Sequence, residues 1–308
     1  MPVKKALITH GHADHSRFGH QHYLCTDSAK PVIKYRLGSN TNIQSVAYGE
    51  NTFINGVQFS FHPAGHILGS AQIRVAYQGQ VWVASGDYNL EADGISEVFE
   101  SVKCHAFITE STFGLPDYSW EPQAIIAQKI NAWWRKNQAA GKTSILGAYA
   151  LGKAQRLLHL LDANIGKVYT HGAVENINKV IRTQGINLPP TTRITQQLKR
   201  KAFAGNLIIC PPGYLQTSWV KRFPAAVTGI CSGWMQDKLD NQKTVINNRF
   251  ALSDHADWEG LNKAVEATEA ENIFVIHGYT EAYTEWLNKK GLKATAIATN
   301  HELSKAWV

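Results

Sequence analysis

The chain has no apolar run approaching the roughly 20 residues of a membrane-spanning helix, and its longest candidates are strand-length. Its start, Met1-Pro2-Val3-Lys4-Lys5, lacks the apolar core of a secretory signal. Cysteine is scarce. Cys25, Cys104, Cys210 and Cys231 stand far apart without a Cys-x-x-Cys pair, which argues against a disulfide framework. No repeat, low-complexity tract or linker-like segment interrupts the sequence. Together these absences set aside membrane, secreted and repeat classes and leave a cytoplasmic globular protein.

What is present is enough to build a core. The 308 residues, 44% of them hydrophobic and only 18% charged, suit one large α/β domain or two. A formal charge of +7 and a pI near 9.1 favour polyanionic partners. Thirteen histidines are the more unusual feature, and their placement carries the argument below.

Short β-branched runs recur in the first part: Ala6–Thr9, Val57–Phe61, Ile73–Tyr77, Val81–Ala84 and Ala106–Thr109, separated by turn residues such as Asn55-Gly56 and Gln78-Gly79. From Glu121 the period changes. Ile125, Ile126, Ile130, Trp133 and Trp134 predict a helix ending before Gly141, and Ala154, Leu157, Leu158 and Leu161 predict another over Gly152–Leu161. Strands over Lys167–Thr170, Asn206–Cys210 and Ala225–Cys231, with a helix from Val174 to Thr183, predict a small parallel-sheet unit. Helices Trp258–Thr268 and Thr280–Lys290 then alternate with strands Asn272–Ile276 and Lys293–Ala298. The reading is one sheet-based domain, 1–118 and 250–308, interrupted by an inserted α/β domain, 119–249.

The run Thr9-His10-Gly11-His12-Ala13-Asp14-His15 follows an apolar strand and offers three imidazoles and a carboxylate. That donor set suits a borderline divalent ion such as Zn²⁺, and the absence of a nearby cysteine points to a catalytic rather than a structural site. Small Gly11 and Ala13 let the chain turn so that His10 and His12 face one ion while Asp14 and His15 face a second. His66, in Pro63-Ala64-Gly65-His66, and Asp87, in Ser85-Gly86-Asp87-Tyr88, are the next ligand candidates, with Asp87 as the bridging carboxylate. His277, in Val275-Ile276-His277-Gly278, completes the second site. His255, in Ser253-Asp254-His255-Ala256-Asp257, is left to protonate a leaving oxygen. The remaining histidines, at 20, 22, 62, 105, 159, 171 and 301, read as surface or core residues, with His171 in Thr170-His171-Gly172 kept as a substrate contact.

These motifs resemble the metallo-β-lactamase superfamily and its nucleic-acid-cutting β-CASP branch. His10-x-His12-x-Asp14-His15 is similar to the superfamily's metal signature, and Pro63–Ser70 to the Pro-Ala-Gly-His segment of the mRNA 3′-end cleavage factor. Thr109-Glu110-Ser111-Thr112-Phe113-Gly114 resembles the branch's acidic motif. Ser253–Asp257 and Ile276-His277-Gly278 resemble its two later histidine motifs, and Gly152-Lys153-Ala154-Gln155 the start of an insertion helix. The nearest resemblance is to the bacterial ligase-associated DNA exonucleases, through Thr109–Pro116, Ala132–Arg135, His171–Glu175, Cys231–Met235 and Ser253–Trp258. Nine residues precede His10, where such domains carry opening strands, which points to a misassigned start codon or a shortened chain.

The resemblance implies a metallo-β-lactamase αβ/βα fold with a β-CASP-like insertion. It also implies a two-metal nuclease carrying two Zn²⁺, or Mn²⁺, and running 5′→3′ on DNA in repair beside an ATP-dependent ligase and a helicase. RNA processing by the same branch, or small-molecule hydrolysis of the lactamase or glyoxalase kind, are the alternatives. His255, held by Glu110, and Asp14 are the catalytic candidates. Lys153, at a helix start beside Arg156, is a phosphate contact by charge and helix dipole. Ser111 and Thr112 join it as substrate contacts, and Trp234 and Trp258 are candidates for base stacking.

Overall fold

Strand alternation decides the first layer. Along Lys5–Leu7 (β1), its continuation Ile8, and His22–Thr26 (β2), the side chains of Ile8, Tyr23 and Cys25 face one way and those of Leu7 and Leu24 the other. The first set packs on Ile33 and Leu37 of the helix Lys30–Leu37 (α1), and the second on Phe61, Ala71 and Ile73 of a neighbouring sheet. With Ile43–Val46 (β3), these strands form a parallel sheet in the order β1-β2-β3.

The computed structural model describes residues 2–236, 246 and 248–298. The chain divides into two compact units, one of residues up to 92, 96–119 and from 255 onward, the other of 93–95 and 120–254. In the first unit a meander of Thr52–Ile54 (β4), Val57–Pro63 (β5), Ala71–Tyr77 (β6) and Gln80–Ala84 (β7) is antiparallel, and Ala106–Ser111 (β8) joins β7 in parallel.

The second unit alternates helix and strand. Gln123–Ala139 (α2), Ser144–Gly147 (β9), Lys153–Leu160 (α3), Val168–Thr170 (β10), Gly172–Arg182 (α4) and Thr192–Arg193 (β11) come first, followed by Leu207–Cys210 (β12), Val227–Cys231 (β13) and Asn248–Phe250 (β14). Its six strands are all parallel, in the order β11-β10-β12-β9-β13-β14. Leu146, Val168, Leu207 and Ile209 face α2 and α3. Ile145, Tyr169 and Ile208 face the opposite way, onto Phe203, Leu215 and Phe223.

Back in the first unit, Trp258–Thr268 (α5), Asn272–Gly278 (β15), Thr280–Lys289 (α6) and Lys293–Ala296 (β16) complete a seven-stranded sheet ordered β16-β15-β8-β7-β6-β5-β4. Leu261 and Val265 of α5 and Tyr283 and Leu287 of α6 pack on its Val83, Phe107, Ile273 and Val275. The unit is therefore a helix–sheet–sheet–helix sandwich, the αβ/βα layering that the resemblance implies.

Several elements carry no clear signal in the sequence. Helix α1 is only eight residues long and carries Pro31 in its first turn, where the missing N–H costs nothing. Strand β9, Ser144-Ile145-Leu146-Gly147, is buried on both faces and so loses the alternation that marks a half-exposed strand. Strand β16 stops at Ala296, two residues short of the expected end. His301 lies outside the described residues, among which no helix is long and apolar enough to cross a membrane.

Candidate metal centre

Strands β5, β7, β8 and β15 all run in one direction, because β6 is antiparallel to both of its neighbours and the other pairings are parallel. Their C-terminal ends therefore share one edge of the sheet, where the loops carrying His66 and Asp87 begin and where Glu110 and His277 stand in the last residues of β8 and β15. The His10–His15 loop leaves β1 at the same edge, tied there by the N–H of Ala71 donating to the Thr9 carbonyl at 2.8 Å. Arg36 of α1 adds a bond from its guanidinium to the Gly11 carbonyl, at 2.5 Å.

Each loop is held by local chemistry. The Ser70 hydroxyl accepts the N–H of His66 (3.0 Å) and of Ile67 (3.2 Å), closing the turn around His66. Gly65 is required there, since its φ is +71° and a Cβ would collide with the Asn89 carbonyl. At the end of β15 the register with β8 slips between Ile276 and Gly278, and His277 takes φ 61°. A bulge with a left-handed non-glycine residue re-aims one side chain at a local cost, a pattern that clusters at functional sites.

The donors converge. His10 Nε2 lies 3.2 Å from His12 Nδ1, and His66 Nε2 lies 3.1 Å from the same atom. Asp87 Oδ2 is 3.5 Å from His10 Nε2 and 3.8 Å from His66 Nε2. A tetrahedral zinc site with bonds of about 2.0–2.2 Å places its donors about 3.3–3.6 Å apart, so these four atoms have the spacing of one divalent ion's ligands. The residues fit. Asp87 turns its other oxygen, Oδ1, to His15 Nε2 at 3.4 Å, and that nitrogen is 3.6 Å from Asp14 Oδ2. The ring of His277 is 6.2 Å from that of His15, whereas the donors close enough to share one ion are those of His10, His12, His66 and Asp87, and those of Asp87, Glu110 and His255. The first group, Asp87 included, is buried save for half-buried His12, whereas the Asp14 side chain is 56% exposed.

Electrostatics match the donor role. Burial, then the neighbouring His15, lowers His10 well below 6.5 and keeps its imidazole neutral, as a ligand must be. Burial would raise the Asp87 carboxyl, but His15, His10, His255 and His66 outweigh it and hold the group well below 3.8. In the metal-free protein the unfolded chain then binds a proton at His10 near 6.5 that the folded chain refuses. Stability must fall as pH drops through that value, and the Asp87 contribution is lost in turn below 3.8. Urea midpoints measured in chelator should hold from pH 8 to about 7 and then decline towards pH 5, and a flat profile across pH 7 to 5 would contradict this assignment.

Beside the donors, His255 Nδ1 lies 3.0 and 2.9 Å from the two Glu110 oxygens. Glu110 is 1% exposed and also accepts the Tyr88 N–H at 2.8 Å and the Thr112 hydroxyl. Asp87, Glu110 and His255 form a second cluster of potential ligands, and the His255 and His66 rings are 4.5 Å apart.

Three expected substrate contacts are placed differently. Lys153 is buried, with its ammonium 2.8 Å from Asp254, because α3 turns this face onto the strand end and not to solvent. Ser111 is buried and donates to the His277 carbonyl at 2.6 Å, bracing the bulge, and Thr112 braces Glu110. Arg156 is equally buried, bonded to Gln123 and to the Ser253 carbonyl. Trp258 packs on Tyr283 and Trp286, whereas Trp234 is 36% exposed. His171 caps α4 by accepting the Ala173 N–H. Sequence reading missed Thr9, whose hydroxyl sits 3.2 Å from His10 Nδ1 and 3.4 Å from His15 Nδ1, where it orients both rings. Its place immediately before the first histidine was the available signal.

No family model matches the chain. It is 28% identical over 305 residues to a probable DNA ligase of Opitutus terrae, covering 98% of this chain and 29% of that protein. To endoribonuclease YSH1 of Eremothecium gossypii it is 31% identical over 122 residues, 39% of this chain and 16% of the relative. The YSH1 of Yarrowia lipolytica is 23% identical over 316 residues, 84% of this chain and 37% of that one. The chain therefore spans well under half the length of these relatives. A crystal structure of a protein of unknown function from Enterococcus faecalis V583 superposes with a TM-score of 0.69 at 12% identity, covering 96% of this chain and 79% of that one. The fold is shared.

Proposed function

We propose that the chain is a two-metal nuclease of the metallo-β-lactamase β-CASP branch, hydrolysing DNA as an exonuclease in repair. The carrying observation is the carboxylate of Asp87, which offers one oxygen to the His10–His12–His66 set and the other to His15. His10, His12, His66 and Asp87 would hold one zinc or manganese ion, and Asp14, His15, Asp87 and His277 the second. When bound, such a pair brings the pKa of water towards about 7 and offsets charge on the phosphoryl oxygens.

The protein's own groups supply the rest. With Nδ1 fixed by Glu110, His255 turns Nε2 to substrate. Hydrolysis adds the oxygen of water to phosphorus and breaks the P–O bond to the departing sugar. A proton passes from His255 Nε2 to that 3′ oxygen, the proton lost by the attacking water goes to solvent, and His255 is reprotonated from solvent. A small-molecule hydrolase of this fold has no need of such an acid.

DNA is favoured by the relative named a probable DNA ligase, a segment of which aligns with 98% of this chain. It also makes ligation a natural companion step; a helicase beside it is proposed on the motif resemblance alone. The endoribonuclease relatives support a second reading, cleavage of RNA. Metal analysis, together with digestion of end-labelled single- and double-stranded DNA and RNA in Zn²⁺ or Mn²⁺, decides. Two ions per chain and shortening of DNA from one end are expected. A protein that takes up no metal, or leaves all four polymers intact, would overturn the reading.

A further inference from the structure

The whole positive balance of the chain lies in one stretch. Residues 176–236 hold eight lysines and arginines and no aspartate or glutamate, so the remainder of a chain of net +7 sums to −1. The stretch lies within the second unit. Its Arg193, Lys199, Arg200, Lys201, Lys221 and Arg222 are exposed, and among the described residues no carboxylate pairs with any of them. Elsewhere in the same unit several cations are paired, as in Lys129–Glu121 and Arg135–Asp162. A surface that keeps its cations unpaired and excludes acids is attractive to polyanions.

Three of these cations converge. Arg200, Lys221 and Arg222 line a groove of about 460 Å³ floored by Leu198 and Phe203. Its walls are two 3₁₀ turns, Arg200–Phe203 and Ser218–Arg222, joined where the Arg200 guanidinium donates to the Lys221 carbonyl at 3.4 Å. From this groove a row of rings leads to the C-terminal ends of β12 and β10. Ring centroids are 4.7 Å apart for Phe223–Trp219, 5.5 Å for Trp219–Tyr214 and 4.1 Å for Tyr214–His171. Tyr214 is exposed, and His171 is fixed by its bond from the Ala173 N–H.

A phosphate-tracking groove joined to flat rings is what an unpaired strand requires, since its bases have free faces and a duplex hides them. We propose that this groove and ring row form a binding path for single-stranded nucleic acid. Phosphates would lie over Arg200, Lys221 and Arg222, with a base against Tyr214 and His171. The nuclease reading gives the path its use, but the test does not depend on that reading.

Fluorescence anisotropy of labelled oligo-dT and oligo-U with the full chain, in EDTA so that nothing is cut, reads the path directly. The triple substitution R200A/K221A/R222A should lower the slope of log affinity against log salt by about 2, at roughly 0.7 for each phosphate no longer neutralised. Tyr214→Ala should weaken single-strand binding about tenfold, leave the salt slope unchanged and spare binding of a blunt duplex. Thermal unfolding of each variant confirms that the fold is retained. The tighter of the two oligonucleotides names the polymer. Three results would each overturn the proposal: a triple variant with the parent's affinity and slope, single-strand binding indifferent to Tyr214→Ala, or a preference for anionic lipid vesicles over both oligonucleotides.

Discussion

Asp87→Ala is expected to abolish turnover, by about 10⁴-fold or more, which corresponds to roughly 5.5 kcal/mol of lost transition-state stabilisation. One carboxylate serves both donor groups, so its removal opens both at once. It also removes the carboxylate that faces His10, His15 and His66. Metal content should fall below one ion per chain, whereas Asp14→Ala, which removes an exposed donor from one group only, should spare the ion held by the buried set. Retention of two ions by the Asp87 variant would show that the carboxylate does not bridge.

The second large effect is expected at His255. Its alanine variant should keep both ions and lose about 10²–10⁴-fold in turnover on DNA, the usual range for a general acid. The loss should depend on the leaving group. A nitrophenyl phosphodiester releases a stable anion that needs no proton, so the variant should cleave it at near the parent rate. Glu110→Gln keeps the shape beside His255 Nδ1 but removes the charge, and should produce a smaller version of the same pattern. Equal losses on both substrates would place His255 in metal binding or packing, and not in proton transfer.

The convergence of the site's side chains was legible because the residues are few and chemically unlike their surroundings. His10, His12, Asp14 and His15 lie in one loop, and His66, Asp87, Glu110 and His277 each sit just past or at the end of a strand that the sequence marks. Parallel strands then bring those ends together, and no side-chain detail is needed to foresee it. The direction in which the expected substrate contacts point was not legible, because a charge in a sequence does not say which way it faces. Lys153 has the residue type and position of a phosphate ligand, but Asp254, a hundred residues later, neutralises it inside the second unit. Ser111 and Thr112 likewise have nearby backbone and carboxylate acceptors that only the folded chain supplies. The short elements α1 and β9 escaped because eight and four residues hold too little periodicity to register.

The strand order of the first unit has a consequence for biosynthesis. Strand β8 lies between β7 and β15, yet β15 begins at Asn272, about 160 residues after β8 ends at Ser111. At ribosomal speeds of about 5–20 residues per second, the nascent sheet waits some 8–30 s with an open flank. Throughout that interval an apolar strand is exposed to pairing with the wrong neighbour. A chaperone, or early folding of the inserted residues, would shorten the danger. A polypeptide truncated before Asn272 lacks both β15 and β16, so β8 stays the flank of that sheet.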